Sequence, residues 1–448
     1  MQKIFGALFL GLLCWLPGKA QQRNIDFIRY RLPNGLKVIL HRDTTAPVVA
    51  VTVLYHVGSK NEKPGQTGFA HFFEHLMFEG STYIRRGEFM KYVSNAGGQL
   101  NANTSQDRTF YYENMPSNQL KLALWLESER MLHGKIDTVG VNTQREVVKE
   151  EKRMRVDNRP YGTLLQEVCK RAFKGTPYQW VPIGSMEDLN KAVLGDFIEF
   201  YHTYYVPGNA VLSIAGDIDT ARTRELVAAY FGSIPASDKP IRRPQVQVQP
   251  LGHEIRDTVY DNIQLPAVIE AYRVPRQGTP DYYAFNVLAQ LLAGGPSARL
   301  QRVVKDQQQL AAGIEVVPLS LEDAGLFLNL GVVNVGVDPD TLQQAIDAQV
   351  ALVKQDTVPE HEFLKVMNQI ETDFISGNAR MLGIAEKLAD YEVYFGDANL
   401  INTELDRYRR VTREDLRRVA RKYLTPDNRV VLYYLPKAMQ SGSGSKAS

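Results

Sequence analysis

"DFIEFYHTYYVPGNAVLSI" (196–214) and "DLRRVARKYLTPDNRVVLYY" (415–434) are two copies of one pattern, in which a helix-like stretch leads through a turn into a strand-like stretch. Aligned without a gap, they include four matched pairs of polar, aromatic or proline residues, each pair 428 − 209 = 219 residues apart. The pairs are Asp196 with Asp415, Tyr204 with Tyr423, Pro207 with Pro426, and Asn209 with Asn428. Pro47 and Pro266, which each precede an apolar stretch, have the same separation. This period predicts a duplicated unit and therefore two halves of similar fold.

Local signals in the first half predict both strands and helices. Asn34-Gly35 lies between two alternating stretches, which is a strong hairpin signal. The stretches 118–132 and 142–156 have the apolar spacing of helices. The 448 residues exceed the roughly 250–300 that one hydrophobic core supports. We therefore expect an α+β fold with two homologous domains, each a mainly antiparallel sheet packed against helices.

The N-terminus has the order of a secretory signal peptide. Lys3 is followed by an apolar stretch over 4–16 and by small residues that end at Ala20. These 13 apolar residues are fewer than the roughly 20 of a spanning helix. We expect cleavage after Ala20 and export, to the periplasm, and no membrane span in the mature protein.

Composition and the repeat together predict the segment boundaries. Residues 233–252 contain four prolines and little helical pattern, which is typical of a linker. The C-terminal residues are small and polar, as in disordered tails. The expected segments are a signal peptide (1–20), an N-terminal domain (21–234), a linker (235–252), a C-terminal domain (253–437) and a disordered tail (438–448).

Charge and cysteine content exclude two classes of function. Without Lys3 and Lys19 of the signal, 50 basic and 50 acidic side chains remain, so nothing indicates a nucleic-acid partner. Cys169 is then the sole cysteine, and the mature chain cannot form an intrachain disulfide. We expect Cys169 to be a buried packing residue.

"GFAHFFEHLMFEGS" (68–81) places ionisable side chains in an otherwise apolar, helix-like stretch. Burying such groups is unfavourable unless something compensates. His71 and His75 are four residues apart, which puts both imidazoles on one helix face, about 5–6 Å apart at their Cβ atoms. Glu74 leans toward the same face. The pattern fits two ligands of one zinc ion and a carboxylate that reaches a water molecule, whereas the alternative is a group of hydrogen-bonded core residues.

The second half supplies an internal comparison for this helix. "FNVLAQLLAGGPS" (285–297) occupies the equivalent stretch, with Asn286, Ala289 and Gln290 in place of the two histidines and the glutamate. The fold element therefore does not need these ionisable groups, which indicates a chemical role for them in the first half.

The stretch 142–156 offers a third ligand. Catalytic zinc sites commonly take three protein ligands and leave the fourth position to water. Spacings of three and four residues place one stripe toward the core, formed by Gln144, Val147, Val148, Glu151 and Met154. Glu151 lies on this stripe, and Glu150, about 100° around the helix, is the competing ligand. Read alone, Glu151 would instead be a solvated charge on a helix rich in lysine and arginine.

The His-x-x-Glu-His pattern at 71–75, with a glutamate 76 residues after His75, resembles the inverted zinc motif of the pitrilysin/insulinase metallopeptidases. This family includes mitochondrial processing peptidase, and the likeness extends over residues 26 to about 436. It implies a half-clamshell of two homologous domains. It further implies that His71, His75 and Glu151 bind one zinc ion per chain and that Glu74 is the general base.

The tract 95–116 also resembles the family's stretch after the zinc helix. The likeness implies that Asn101, Ala102 and Asn103 belong to a strand at a sheet edge that binds the peptide substrate by strand addition. This mode takes affinity from backbone hydrogen bonds and gives loose sequence specificity.

Two departures from the family pattern stand out. Gln144 occupies a position where many relatives have a glutamate, and its amide is expected to orient a ligand without adding charge. Relatives also have an Arg/Tyr pair in the second half that assists substrate binding, but residues 307–320 contain no tyrosine. Arg299 is either a remnant of that pair or a helix-surface arginine.

The resemblance thus implies an exported zinc endopeptidase that cleaves peptides or unfolded segments inside a clamshell chamber. Because the family includes heterodimers, we expect this chain to be the metal-bearing subunit of a dimer with a second family member, or a homodimer. The alternative is a non-catalytic assembly or peptide-binding subunit of the same fold.

Overall fold

The computed structural model describes residues 24–237 and 240–440. The predicted signal peptide (1–20) and residues 441–448 of the predicted tail lie outside the described residues. The described part combines helices with two β-sheets, which confirms the predicted α+β class.

The strands are β1 (Ile28–Arg31), β2 (Lys37–Arg42), β3 (Val48–Tyr55), β4 (Gln99–Thr104), β5 (Thr109–Pro116), β6 (Ala210–Gly216), β7 (Ile255–Asp261), β8 (Ala267–Val274), β9 (Ala311–Ser320), β10 (Gly325–Val333) and β11 (Arg429–Pro436). The α-helices are α1 (Phe69–Leu76), α2 (Phe89–Asn95), α3 (Leu120–His133), α4 (Thr138–Lys152), α5 (Leu164–Ala172), α6 (Met186–Lys191), α7 (Leu194–Tyr204), α8 (Thr220–Phe231), α9 (Pro280–Ala293), α10 (Pro339–Gln355), α11 (Glu360–Gly377), α12 (Met381–Tyr394), α13 (Leu400–Arg409), α14 (Arg413–Tyr423) and α15 (Lys437–Gln440). Among the described residues, no helix combines the length and the apolar character needed to cross a membrane.

The two sheets have the same strand connectivity. The first half forms a six-stranded sheet in the order β1-β2-β6-β3-β5-β4, and the second half forms a five-stranded sheet in the order β7-β11-β8-β10-β9. Neighbouring strands are antiparallel except for β2 with β6 and β7 with β11, which hold the same position in both sheets. The predicted duplication is confirmed, with β1 as the additional strand of the first half.

The repeated sequence pattern forms the same structure twice. In each half a helix, α7 or α14, leads through a 3₁₀ turn into a strand, β6 or β11. The Asn209 side chain donates to the carbonyl oxygen of Tyr204 at 2.8 Å, and Asn428 donates to that of Tyr423 at 2.7 Å. A proline begins both turns, because its fixed φ suits a first helical position. The residues that repeat in the sequence are therefore those that shape the turn.

Each sheet has one face covered by a helix from the other half of the chain. Helix α12 packs against β3 and β6, whereas α5 packs against β8 and β11. The strand residues alternate accordingly: Val49, Val51 and Val53 face helices of the first half, but Ala50 and Leu54 face α12. The prediction of two separate domains did not include this exchange, because a helical apolar stripe does not specify which sheet it covers.

Two predicted segments differ in detail from the structure. The described part of 235–252 contains neither helix nor strand, but Val246, Val248 and Leu251 pack against the second sheet. Residues 438–440, expected to be disordered, are helical as part of α15. Lysine, alanine, methionine and glutamine all favour helix, which explains why order continues past β11.

The hairpin and Cys169 agree with expectation. Strands β1 and β2 pair antiparallel around the turn at Asn34-Gly35, where Gly35 has a φ of 94°. Cys169 lies fully buried in α5 against the second sheet, and burial raises the pKa of its thiol to about 12. A thiol held in this way is a packing group.

A buried charge cluster joins α3 to the first sheet. The Arg130 guanidinium has no exposed surface and lies over three aromatic rings, those of Phe78, Phe89 and Tyr111, at 4.3–4.5 Å. Its nitrogen is 3.2 Å from Glu127 and 3.5 Å from Glu113, which are also fully buried. Burial and the neighbouring Glu127 raise the pKa of Glu113 well above its usual range. The single positive charge of Arg130 therefore lies between two buried carboxyl groups, one on the sheet and one on α3.

We predict that Arg130→Met lowers the free energy of unfolding by about 3–5 kcal/mol, because it removes one partner of a buried ion pair. Arg222→Met is the matched control, since Arg222 pairs with Glu225 on an exposed helix surface and should cost less than about 1 kcal/mol. Denaturant titrations followed by circular dichroism measure both. Equal, small losses in the two variants would contradict the role given to Arg130.

Candidate metal centre

Helix α1 begins at a position that requires glycine. Gly68 has a φ of 92°, and a Cβ atom there would lie 3.1 Å from the carbonyl oxygen of Ile183. Because Gly68 offers no capping side chain, the buried Glu62 carboxylate takes that place. It accepts hydrogen bonds from the backbone N–H groups of Gly68, at 2.9 Å, and Ala70, at 2.8 Å. These contacts fix where the helix starts.

One face of α1 is aromatic and fixes the rotation of the helix. Phe69, Phe72 and Phe73 are buried against Phe197 and Phe200 of α7, with ring centroids 4.6–5.2 Å apart. The remaining face, which carries residues 71, 74 and 75, is consequently directed toward α4 and β4. The apolar packing thereby decides where the ionisable side chains point.

His71, His75 and Glu151 come together between α1 and α4. The Nε2 atoms of the two histidines lie 3.6 and 3.1 Å from Glu151 Oε2, respectively. One ligand atom from each residue lies within 4.8 Å of the ligand atoms of the other two. Among the described residues, these three form the group of histidine, cysteine, aspartate or glutamate side chains that could hold a metal ion. The His71 and His75 rings are nearly perpendicular, at 81°, with centroids 4.9 Å apart. Two residues on one helix and a third 76 positions later thus converge on one point.

The electrostatics favour the neutral form of His71 and the ionised form of Glu151. Burial, with the neighbouring His75, lowers the pKa of His71 to about 4. A hydrogen bond to His75 lowers the pKa of Glu151. Near neutral pH His71 therefore offers an imidazole lone pair and Glu151 a carboxylate, which are the forms that bind a divalent metal.

The donor set fits zinc. Bonds of about 2.0–2.1 Å in tetrahedral geometry separate ligand atoms by about 3.3 Å, close to the 3.6 and 3.1 Å from the two histidines to Glu151. His71 Nδ1 is buried without a hydrogen-bond partner, so this ring is held by packing. Two imidazoles and one carboxylate also match the ligand types of catalytic zinc sites, which keep a further position open.

Glu74 lies beside this cluster and is held by a residue that the sequence analysis missed. The Thr104 hydroxyl donates to Glu74 Oε2 at 2.6 Å. Burial raises the pKa of Glu74, an effect that the Thr104 hydrogen bond opposes. Thr104 follows Ala102 by two residues, and the period-two alternation of a strand could have indicated that both face α1.

Residues 101–103 lie where the family resemblance implied. They belong to β4, the edge strand of the first sheet, which pairs with β5 on one side only. Ala102 is buried beneath α1, whereas Asn101 and Asn103 are exposed. The free backbone edge therefore runs past the cluster.

The predicted buried stripe of α4 is correct in part. Val148 is fully buried and Glu151 half-buried, but Val147 and Met154 are exposed, at 44% and 66%. Helix α4 passes into a π-helical turn over Arg153–Asp157, which shifts Met154 away from the 3.6-residue period. Glu150, the competing ligand, points to solvent and pairs with Arg153 at 3.0 Å.

Gln144 does not contact the three clustered residues. Its amide donates to Glu79 Oε1 at 2.5 Å, and Glu79 also pairs with Arg86. The expectation that Gln144 orients a ligand directly is therefore wrong for this arrangement. Glu79 follows His75 by four residues, so Gln144 ties α4 to the end of α1 instead.

Arg155 belongs to the surroundings of the cluster, whereas Arg299 lies in the second half of the chain. Arg155, which the sequence analysis did not single out, pairs with Glu151 Oε1 at 2.6 Å, and its position four residues after Glu151 is the usual signal for such a pair. Arg299 pairs with Glu362 at 2.8 Å within the second half, as an arginine bound on a helix surface.

Comparisons with known proteins identify relatives over most of the chain. The family model described as "Insulinase (Peptidase family M16)" matches residues 37–184, and that described as "Peptidase M16 inactive domain" matches residues 191–370. The zinc protease PqqE of Helicobacter pylori is 32% identical over 409 residues, covering 90% of this chain and 92% of that protein.

Solved structures give the same result. A protease from Helicobacter pylori superimposes with a TM-score of 0.88 at 31% identity, covering 92% of this chain and 100% of that one. The periplasmic protease PqqL from Escherichia coli superimposes with a TM-score of 0.77 at 18% identity. That match covers 94% of this chain but only 49% of PqqL, so two units of this size fit into the longer protein.

We predict that Glu151→Gln weakens zinc affinity by more than about 100-fold. Changes to groups that merely support metal ligands already cost about 10–100-fold, and this substitution removes the charge of the candidate ligand itself. Glu150→Gln is the matched control, with the same chemical change one residue away on an exposed side chain, and should bind zinc like the unmodified protein. Competition titrations against a chromophoric chelator measure both, and an equal loss in the two variants would contradict the assignment of Glu151.

Proposed function

The chain belongs to the insulinase family, peptidase family M16, and on this premise we propose that it is an exported zinc-dependent endopeptidase. Its substrates would be peptides or unfolded protein segments. We propose His71, His75 and Glu151 as the zinc ligands, with one zinc ion per chain, and Glu74 as the general base.

One observation carries this proposal: the three donor atoms lie within 4.8 Å of one another, next to the Glu74 carboxylate and the free edge of β4. A zinc ion bound there would act as a Lewis acid that polarises the scissile carbonyl and lowers the pKa of water toward about 7. The relatives' names, zinc proteases among them, support the same chemistry.

In this proposal Glu74 moves the proton. Its carboxylate accepts a proton from the attacking water and returns it to the leaving amine. Burial, which raises the pKa of Glu74, favours this role because a proton acceptor works best with a pKa near the operating pH. Glu151 and the two histidines hold position and do not take part in the transfer.

Strand β4 would bind the substrate. An extended peptide added to this edge continues the sheet through backbone hydrogen bonds, and residues 101–103 would lie alongside it. Because these bonds do not read side chains, we propose broad sequence tolerance.

Export and pairing complete the proposal. The order of residues 1–20 supports secretion. The match to half of PqqL supports a working unit that contains two copies of this fold, which a dimer would provide around a closed chamber. The chain would then be the metal-bearing subunit, with a family member or a second copy as its partner.

We predict that Glu74→Gln lowers peptide cleavage by about 10²–10⁴-fold while zinc content stays at that of the unmodified protein. Cleavage of a quenched-fluorescent peptide pool by the mature protein, with a chelated sample as control, measures the first quantity. Glu150→Gln should cleave normally.

Each alternative outcome has a distinct meaning. Undiminished cleavage by Glu74→Gln would contradict the proposed base. A purified protein without stoichiometric zinc would favour the non-catalytic assembly subunit. A folded, zinc-loaded protein that is inactive alone would indicate an obligate partner.

We also predict that strand addition makes cleavage sensitive to backbone methylation of the substrate. N-methylation at alternate residues of a good peptide substrate should lower kcat/KM by about 2- to 10-fold per lost hydrogen bond, with little effect at the residues between. Steady-state kinetics on a methyl-scanned peptide series provide the test, and a uniform effect at every position would contradict binding as a strand.

A further inference from the structure

Thr104 is the last residue of β4 and the hydrogen-bond partner of Glu74. Register pairs Thr104 with Thr109 and Ala102 with Tyr111, so that Thr104 and Ala102 share the face toward α1. Among the described residues, the 2.6 Å bond from the Thr104 hydroxyl is the hydrogen bond that Glu74 accepts. The orientation of the Glu74 carboxylate thus depends on where β4 ends.

Both halves of the chain hold the turn that follows β4, the first through Tyr178 and Lys60 and the second through Glu322. Asp107 accepts hydrogen bonds from the Tyr178 hydroxyl at 2.7 Å and from the backbone N–H of Glu322 at 2.9 Å. Its carboxylate also lies 2.9 Å from the Lys60 ammonium group, which in turn contacts Glu322. Both Asp107 and Lys60 are buried, so these contacts are screened little by solvent.

The next residue makes a second connection. Arg108 pairs with Glu386, at 2.5 Å, and with Asp390, both on α12 of the second half. The same helix covers β3 and β6 of the first sheet. Helix α12 therefore fixes the β4–β5 turn by charge and the sheet behind it by packing.

From this arrangement we propose that Thr104 is a positioning residue for Glu74, and that the second half holds Thr104 in place through Asp107 and Arg108. The inference rests on the proposed function, since it assigns a task to a neighbour of the proposed base. It gives the second half, which lacks the histidine and glutamate set, a direct part in ordering the site.

Variants at position 104 test the first part. Thr104→Val keeps the shape of the side chain and removes the donor, and should lower kcat by about 10- to 100-fold, the range expected for a catalytic group displaced by about 1 Å. KM and zinc content should stay within twofold, because the strand and the metal ligands are unchanged. Thr104→Ser, which restores the hydroxyl, should recover most of the activity.

A matched control separates positioning from stability. Thr52 lies fully buried in β3 and donates to the carbonyl oxygen of Ser213 at 3.0 Å, so Thr52→Val loses a comparable bond in the same sheet. It should lower the unfolding temperature and leave kcat unchanged. A kcat for Thr104→Val equal to that of Thr52→Val would overturn the proposal.

The double variant Glu386→Gln, Asp390→Asn tests the role of the second half. It keeps the shape of both side chains and removes the charges that hold Arg108, and should lower kcat in the same way but by a smaller factor than Thr104→Val. An unchanged kcat would overturn the coupling between the turn and the site.

Crystal structures of the zinc-loaded protein supply a readout that does not need activity. The Glu74 carboxylate should take one position in the unmodified protein and a displaced or divided one in Thr104→Val. An unmoved Glu74 would overturn the inference. Failure of the proposed function would be recognised by a different result, namely cleavage that persists in Glu74→Gln.

Discussion

The site depends on the rotation of one short helix. Helix α1 has an aromatic face that packs on Phe197 and Phe200, and this packing directs its ionisable face toward α4 and the edge of the first sheet. The capping of its N-terminus by Glu62 fixes the start of the helix. Since residues four apart on a helix share a face, a rotation of one residue, about 100°, would separate the histidines from Glu151. The aromatic contacts of α1 with α7 thus determine where the side chains of His71, Glu74 and His75 lie.

The halves of the chain are not independent bodies joined by a linker. Each sheet has one face covered by a helix from the other half, α12 on the first and α5 on the second. Removing either half would expose an apolar sheet face, at a cost of roughly 25 cal/mol for each Å² of apolar surface. Folding of the proposed catalytic half therefore needs the second half, whatever the second half does chemically.

The sequence predicted those features that local period and repetition encode. The 219-residue period identified the duplication, and turn chemistry identified the hairpin at Asn34-Gly35. Helical spacing predicted His71 and His75 on one face and left Glu150 as a competitor of Glu151, whereas the family resemblance implied Glu151. The geometry supports this arrangement. Each of these features depends on the residues of one helix or turn, or on their repetition in the second half.

The features that the sequence did not predict depend on contacts between distant elements. No local pattern identifies which sheet α12 covers, or that the partner of the Gln144 amide is Glu79. The exposure of Met154 follows from the π-helical turn after α4, which a 3.6-residue period cannot anticipate. Strand alternation puts Thr104 on the same face as Ala102, but its hydrogen bond to Glu74 depends on the packing of β4 against α1.

The helix of the second half that is equivalent to α1 carries no ionisable side chains at the corresponding positions. This helix, α9, carries Asn286, Ala289 and Gln290 beside a cavity of about 410 Å³ next to strand β9. The Asn286 amide donates to the carbonyl oxygen of Tyr282 at 3.0 Å, within its own helix, so it is satisfied without a metal. Charged groups in the same place would have to be compensated. Among the described residues, the cluster of potential metal ligands thus lies in the first half, and the other half contributes through packing and through its contacts with the β4–β5 turn.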